Sequence, residues 1–198
     1  MEQRHRTELD RVSDTGYHQG VIAFTKPPKY VPLREILERR KQDLCLILLD
    51  EVQDPHNLGA ILRTAEATDV DAVVISKHRS VGITPAVHRT SMGGSSNVPI
   101  VRENLYSVLK TLKDEGVKTI GVDSEGAVDY FDENLDGSIA LVVGGEDKGL
   151  SASLIAKCDS VVRIPMKGRL SSLNVSVATA VILYERMRQQ RKQETLKQ

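Results

Sequence analysis

Three short stretches concentrate the residues with chemical potential. The first is Asp50-Glu51-Val52-Gln53-Asp54-Pro55-His56-Asn57-Leu58-Gly59, with Arg63 following. It offers an amide at Asn57, an imidazole at His56 and a guanidinium at Arg63. Asn57 reads either as a helix N-cap or as a polar group for a ligand. His56 reads first as a surface histidine. The second is Gly144-Gly145-Glu146-Asp147-Lys148-Gly149-Leu150-Ser151. Glycines between a strand and a helix let backbone N–H groups approach a ligand closely. The stretch is neither G-x-x-x-x-G-K-[ST] nor G-x-G-x-x-G. Glu146 in its middle also repels a polyphosphate. The third is Pro165-Met166-Lys167-Gly168-Arg169-Leu170-Ser171-Ser172-Leu173-Asn174. Ser172 and Asn174 stand at a helix start, where they either cap the helix or bind a ligand.

The elements around these stretches follow from hydrophobic patterning. Continuous apolar runs predict buried strands at Leu44–Leu49, Asp71–Ser76, Val117–Val122, Ile139–Val143 and Val161–Ile164. Shorter strands are predicted at Val21–Phe24 and, with a proline marking an edge or a start, Val98–Val101. Helical spacing predicts helices at Pro32–Arg39, Leu58–Thr68, from Thr84-Pro85, Leu105–Leu112, Ser151–Ala156 and Asn174–Gln190. Strands alternating with helices give an α/β domain, a mostly parallel sheet flanked by helices on both faces. The three stretches then leave strand carboxyl ends, where open α/β sheets bind ligands. Residues 1–17 read as a polar lead-in, 18–192 as the domain and 193–198 as a basic tail.

Composition narrows the function. With 198 residues the chain forms one domain and needs no disulfide or metal for stability. Lys+Arg and Asp+Glu are each 27, so the net charge of zero excludes a histone-like polyanion binder. The balance is uneven along the chain: residues 101–147 carry 4 basic and 11 acidic side chains, and residues 148–192 carry 9 and 2. Lys157, Arg163, Lys167, Arg169, Arg186, Arg188, Arg191 and Lys192 form either a phosphate-binding patch or a solvated face. Two Phe, five Tyr and no Trp argue against a base-stacking surface. Cys45 and Cys158 make no C-x-x-C pair, so no zinc site is expected. Without a signal-like or membrane-spanning run, the chain reads as cytoplasmic with reduced thiols.

Taken together and in this order, the stretches resemble the SpoU/TrmH branch of the SPOUT RNA methyltransferases. The third is the most specific, in Ile164-Pro165-Met166 followed by Ser172-Leu173-Asn174-Val175-Ser176-Val177-Ala178. The entry His18-Gln19-Gly20-Val21-Ile22-Ala23 is similar to the subgroup acting on large-subunit ribosomal RNA. Asp147 departs from the glycine usual in the family. Many relatives also carry an N-terminal RNA-binding domain, whereas about 17 residues precede the match here.

The resemblance implies methyl transfer from S-adenosylmethionine to a ribose 2′-hydroxyl, in ribosomal RNA ahead of transfer RNA. It implies a C-terminal deep trefoil knot, an exception to the unknotted rule, and a homodimer packed through the C-terminal helix. Carried over by position, Gly144, Ile164, Met166 and Leu173 hold the cofactor. Asn57, Arg63, Glu146, Ser172 and Asn174 form the polar, catalytic site, and no metal is required. Two other readings are a non-catalytic RNA-binding or assembly protein on the same fold, and a nucleotide-binding α/β enzyme. The absence of both glycine fingerprints weighs against the second.

Overall fold

Strands β1 (Cys45–Leu49) and β6 (Ile139–Val143) are buried at every residue, which requires cover on both sheet faces. The computed structural model describes residues 2–13, 16, 18–24, 29–39, 43–145 and 149–196, the side chains of Glu194 and Leu196 excepted. The remaining strands are β2 (Ala72–Ser76), β3 (Ile100–Glu103), β4 (Lys118–Val122), β5 (Val128–Asp129) and β7 (Ser160–Arg163). They form a seven-stranded sheet in the order β3-β2-β1-β6-β4-β7-β5. Every pairing is parallel.

Side-chain alternation divides the core in two. Ile47, Leu49, Val73, Ile75, Leu141 and Val143 face one side. They meet helix α3 (Pro55–Ala67), helix α4 (Pro85–Ser91) and helix α8 (Val175–Leu196) through Leu58, Ile61, Leu62, Val87, Ile182 and Leu183. Leu46, Leu48, Val74 and Val142 face the other side. There they meet helix α2 (Leu33–Glu38), helix α6 (Leu105–Asp114) and helix α7 (Ala152–Ile155) through Leu33, Ile36, Val108, Leu112 and Leu154. The result is the three-layer α/β arrangement expected from the sequence.

The differences from the sequence reading are local. Val21–Phe24 forms no strand: Val21 and Phe24 are 74% and 86% exposed. Lys26, Pro27 and Pro28, expected to close it, lie outside the described residues. Further along, the chain meets the sheet edge where the Val31 N–H donates to the Ile100 carbonyl at 2.9 Å and Arg102 lies over the Tyr30 ring. Helix α1 (Arg6–Val12) forms in the polar lead-in and buries none of its residues. Helix α5 (Gly94–Asn97) and β5 are too short to leave a periodic signal. Helix α8 continues past Gln190 to Leu196.

Helix α3 starts earlier than Leu58. Pro55 occupies its first turn, and the Asp54 carboxylate caps it by accepting the His56 N–H at 2.8 Å. Asn57 is therefore inside the helix, not its cap. The expected caps elsewhere are present. Thr84 accepts the Val87 N–H at the start of α4. Asn174 accepts the Ser176 N–H at 2.9 Å at the start of α8.

The basic segment is less of a patch than its composition suggests. Arg186 is buried at 5% exposure and donates to the Leu135 carbonyl. Arg188 pairs with Glu185 on the same helix. Arg163 donates to Asp129 at 2.6 Å. Lys167 and Arg169 remain exposed, in the segment between β7 and α8.

Candidate functional site

Strands β4 and β6 lie side by side and end together at Val122 and Val143. Beyond their carboxyl ends the structure opens a cleft of about 400 Å³, a size suited to a cofactor. Its floor is Val122 and Val143, and its walls come from four segments. Asp123, Ser124 and Glu125 follow β4; Gly144, Gly145 and Gly149 follow β6. Ile164, Met166, Ser171, Ser172 and Leu173 follow β7, and Val175 and Ala178 belong to α8.

Glycine shapes the second wall. A Cβ on Gly144 would lie 2.1 Å from the Gly149 carbonyl carbon and 2.4 Å from the Leu150 nitrogen. No side chain fits there, because the backbone of Gly149 and Leu150 packs directly against Gly144 and Gly145 bridges to Gly149. Gly149 holds φ +62°, a left-handed conformation that favours glycine. The missing side chain at Gly144 thus lets the backbone of Gly149 and Leu150 close against it. Gly145 in turn packs on the first stretch, since its Cβ would meet the Glu51 carbonyl oxygen at 2.6 Å.

The residues singled out from sequence distribute as follows. Gly144, Ile164, Met166, Leu173 and Ser172 line the cleft. Asn57 and Asn174 meet just behind it, where Asn174 Nδ2 donates to Asn57 Oδ1 at 2.9 Å. That bond joins the starts of α3 and α8 across 117 residues of chain. Glu146, with Asp147 and Lys148, lies outside the described residues. Arg63 is exposed on α3 and does not line the cleft. Six residues from Asn57, it points about 120° away around the helix, so the two do not share a face. The nearby acid Glu66 does not pair with it and accepts from Asn97 instead. Arg63 makes no ion pair among the described residues. His56 is exposed and lies 3.4 Å from the Thr90 hydroxyl.

Sequence reasoning missed the wall that follows β4. The signal was present, because Asp123-Ser124-Glu125-Gly126 leaves a strand carboxyl end like the three stretches singled out from the sequence. The Asp50 carboxyl, next to the cleft-forming loops, is raised above its ordinary value by burial and then by the neighbouring Glu51 charge. Among the described residues no cluster of His, Cys, Asp or Glu is arranged to hold a metal ion. No described helix is long and apolar enough to cross a membrane.

Comparison with known proteins decides the family. The sequence model of the SpoU rRNA Methylase family matches residues 45–184, from β1 into α8. This chain is a member of the SpoU rRNA methylase family. A Staphylococcus epidermidis protein assigned to the TrmH family of tRNA/rRNA methyltransferases is 42% identical over 184 residues. That alignment covers 91% of this chain and 74% of the relative. Among solved structures, the AdoMet-bound rRNA methyltransferase of Sinorhizobium meliloti superposes with a TM-score of 0.76 at 31% identity. The match covers 81% of this chain and 61% of that one. The SpoU methyltransferase AviRb of Streptomyces viridochromogenes, in complex with AdoMet, gives 0.71 at 31% identity over 76% of this chain and 59% of that one. The chain thus spans about three fifths of these solved SpoU-family members.

Proposed function

We propose that this SpoU-family chain transfers the methyl group of S-adenosylmethionine to a ribose 2′-hydroxyl of RNA, ribosomal RNA ahead of transfer RNA. The observation that carries the reading is the cleft beyond β4 and β6. It lies within the family match and is walled by all four residues expected to hold the cofactor. Gly144 and Gly149 keep the backbone of one wall bare, and Ile164, Met166 and Leu173 supply apolar surface for the other. When bound, the cofactor supplies an already activated methyl group.

This chain's residues then have three tasks. The cleft walls fix the direction of the methyl group, so that the acceptor oxygen meets it in line. Ser172, on the cleft wall, and the Asn57–Asn174 pair behind it orient the ribose and its hydroxyl. Glu146 belongs to the same polar set by position. Arg63, exposed on α3, holds the RNA phosphate beside the target ribose or activates the hydroxyl. A guanidinium is a poor base and, with its planar fork of donors, a good phosphate clamp.

The proposal includes the trefoil knot and a homodimer. Val177 and Tyr184, seven residues apart on α8, are 47% and 55% exposed and share a face that a second copy would cover. Sedimentation tests this, with a particle of only the 21.9 kDa chain mass counting against it.

Label transfer from methyl-tritiated cofactor to RNA tests the reading. Arg63→Ala and Arg63→Lys should each lose about tenfold or more of the turnover, because lysine lacks the planar fork. Their cofactor affinity should stay within about twofold. Wild-type turnover in both variants would remove Arg63 from the site. Ribose-methylation mapping of total RNA with and without the protein separates ribosomal from transfer RNA targets.

A further inference from the structure

The charged side chains that line the cleft, among the described residues, are Asp123 and Glu125, both carboxylates. Asp123 is half-buried and hydrogen-bonded through both its backbone and its carboxylate. Its N–H donates to the Val162 carbonyl at 3.0 Å, and its Oδ1 accepts the Glu125 N–H at 2.9 Å. Its Oδ2 lies over Gly149, 3.2 Å from where a Cβ would stand. It has no salt bridge to a described residue, and Arg163, which follows its backbone partner Val162, pairs with Asp129. Among the described residues, then, the cleft lining carries negative charge and no cation.

S-adenosylmethionine carries a sulfonium, an ammonium and a carboxylate, and is net positive. In methyl transfer the methyl–sulfur bond breaks with its electron pair left on sulfur, and the methyl bonds to the acceptor oxygen. The acceptor's proton leaves to solvent. The by-product, S-adenosylhomocysteine, keeps a neutral thioether and is net neutral. We propose that Asp123, assisted by Glu125, makes the cleft prefer the charged cofactor over its neutral by-product, which favours product release. The inference rests on placing the cofactor in this cleft. It assigns a specificity role to a wall that the motif residues do not include. A fixed carboxylate discriminates here because the two ligands differ mainly by one methyl group and one charge.

Calorimetry with three ligands tests it: S-adenosylmethionine, S-adenosylhomocysteine, and sinefungin, in which a protonated amine replaces the sulfonium. Asp123→Asn keeps an oxygen for the Glu125 N–H and removes the charge. It should weaken both cationic ligands about fivefold, and the double change with Glu125→Gln somewhat more. S-adenosylhomocysteine should stay within about twofold. For wild-type protein, raising salt from about 20 to 300 mM should shrink the preference for the cationic ligands. That series needs no variant. Equal weakening of all three ligands would overturn the proposal, as would an unchanged ratio in both the variant and the salt series. The underlying placement fails separately: Ala178→Leu adds bulk to the cleft from α8, and undiminished binding of all three ligands by that variant would move the cofactor elsewhere.

Discussion

Replacing Gly144 with alanine is a sharp test of how the cleft is built. The new Cβ would sit 2.1 Å from the Gly149 carbonyl carbon, roughly 1.3 Å short of the 3.4 Å at which contact becomes ordinary. Both neighbours are backbone, so no rotamer change relieves the clash. The backbone at Gly149 has to move away from Gly144, and the Gly145–Gly149 bridge has to move with it. Overpacking of this kind costs about 2–3 kcal/mol. In a chain of this size that lowers the melting temperature by about 5–10 °C. Because Gly144, Gly145 and Gly149 all line the cleft, the same shift should reduce cofactor affinity by about tenfold or more. Thermal melts by circular dichroism and titration with S-adenosylhomocysteine measure both effects. Ala178→Leu provides the contrast, filling the cleft from a helix and losing affinity with a melting temperature within about 3 °C of wild type. A Gly144→Ala protein with wild-type melting and wild-type affinity would refute the reasoning, since the loop would then have room where the structure shows none.

Arg186→Ala should destabilise by about 3 kcal/mol in urea titration, because it leaves a void and strands the buried Leu135 carbonyl; a change below about 1 kcal/mol would contradict that role. Glu133 is only 9% exposed and accepts from Lys118 at 2.6 Å. Burial pushes its carboxyl up, but the Lys118 contacts and the Asn134 N–H outweigh burial and hold it below its ordinary value. A lowered folded pKa means that the stabilisation is complete above the unfolded value and is lost as pH falls through the folded one. Glu133→Gln should therefore cost about 1–2 kcal/mol at pH 7, and its gap from wild type should close as pH falls from the ordinary glutamate value down through the lowered folded one. Burial raises the Cys45 and Cys158 thiols to about 11 each, so a thiol reagent at pH 7.5 should react slowly with the folded protein and rapidly in urea.

What was legible in the sequence followed from periodicity. The buried strands announce themselves as apolar runs because both their faces are covered, as Leu46 to Leu49 illustrate with alternate residues in different core halves. Proline and capping residues marked the starts of α4 and α8 for the same local reason that they form them. Long-range contacts were not legible. Nothing near Arg186 in the sequence says that it will be buried against Leu135, and nothing near Asn57 names Asn174 as its partner. Of the two readings of Asn57 the cap fails, because Asp54 and Pro55, three and two residues earlier, are the stronger start signal. The cleft residues after β7 were found because they lie in a specific run, Ile164 to Ala178. Asp123 was not, because its significance comes only from β4 standing beside β6 and β7.

The central claim is that this chain methylates RNA on the ribose. The direct measurement is to incubate the purified protein with ribosomal RNA and methyl-deuterated S-adenosylmethionine, digest the RNA to nucleosides, and identify the labelled product by liquid chromatography and mass spectrometry. The account predicts deuterium in a 2′-O-methylated nucleoside, with incorporation strongly reduced by Arg63→Ala. Label on a base, or no label from a protein that binds the cofactor with its cleft intact and is supplied with total RNA, would contradict it.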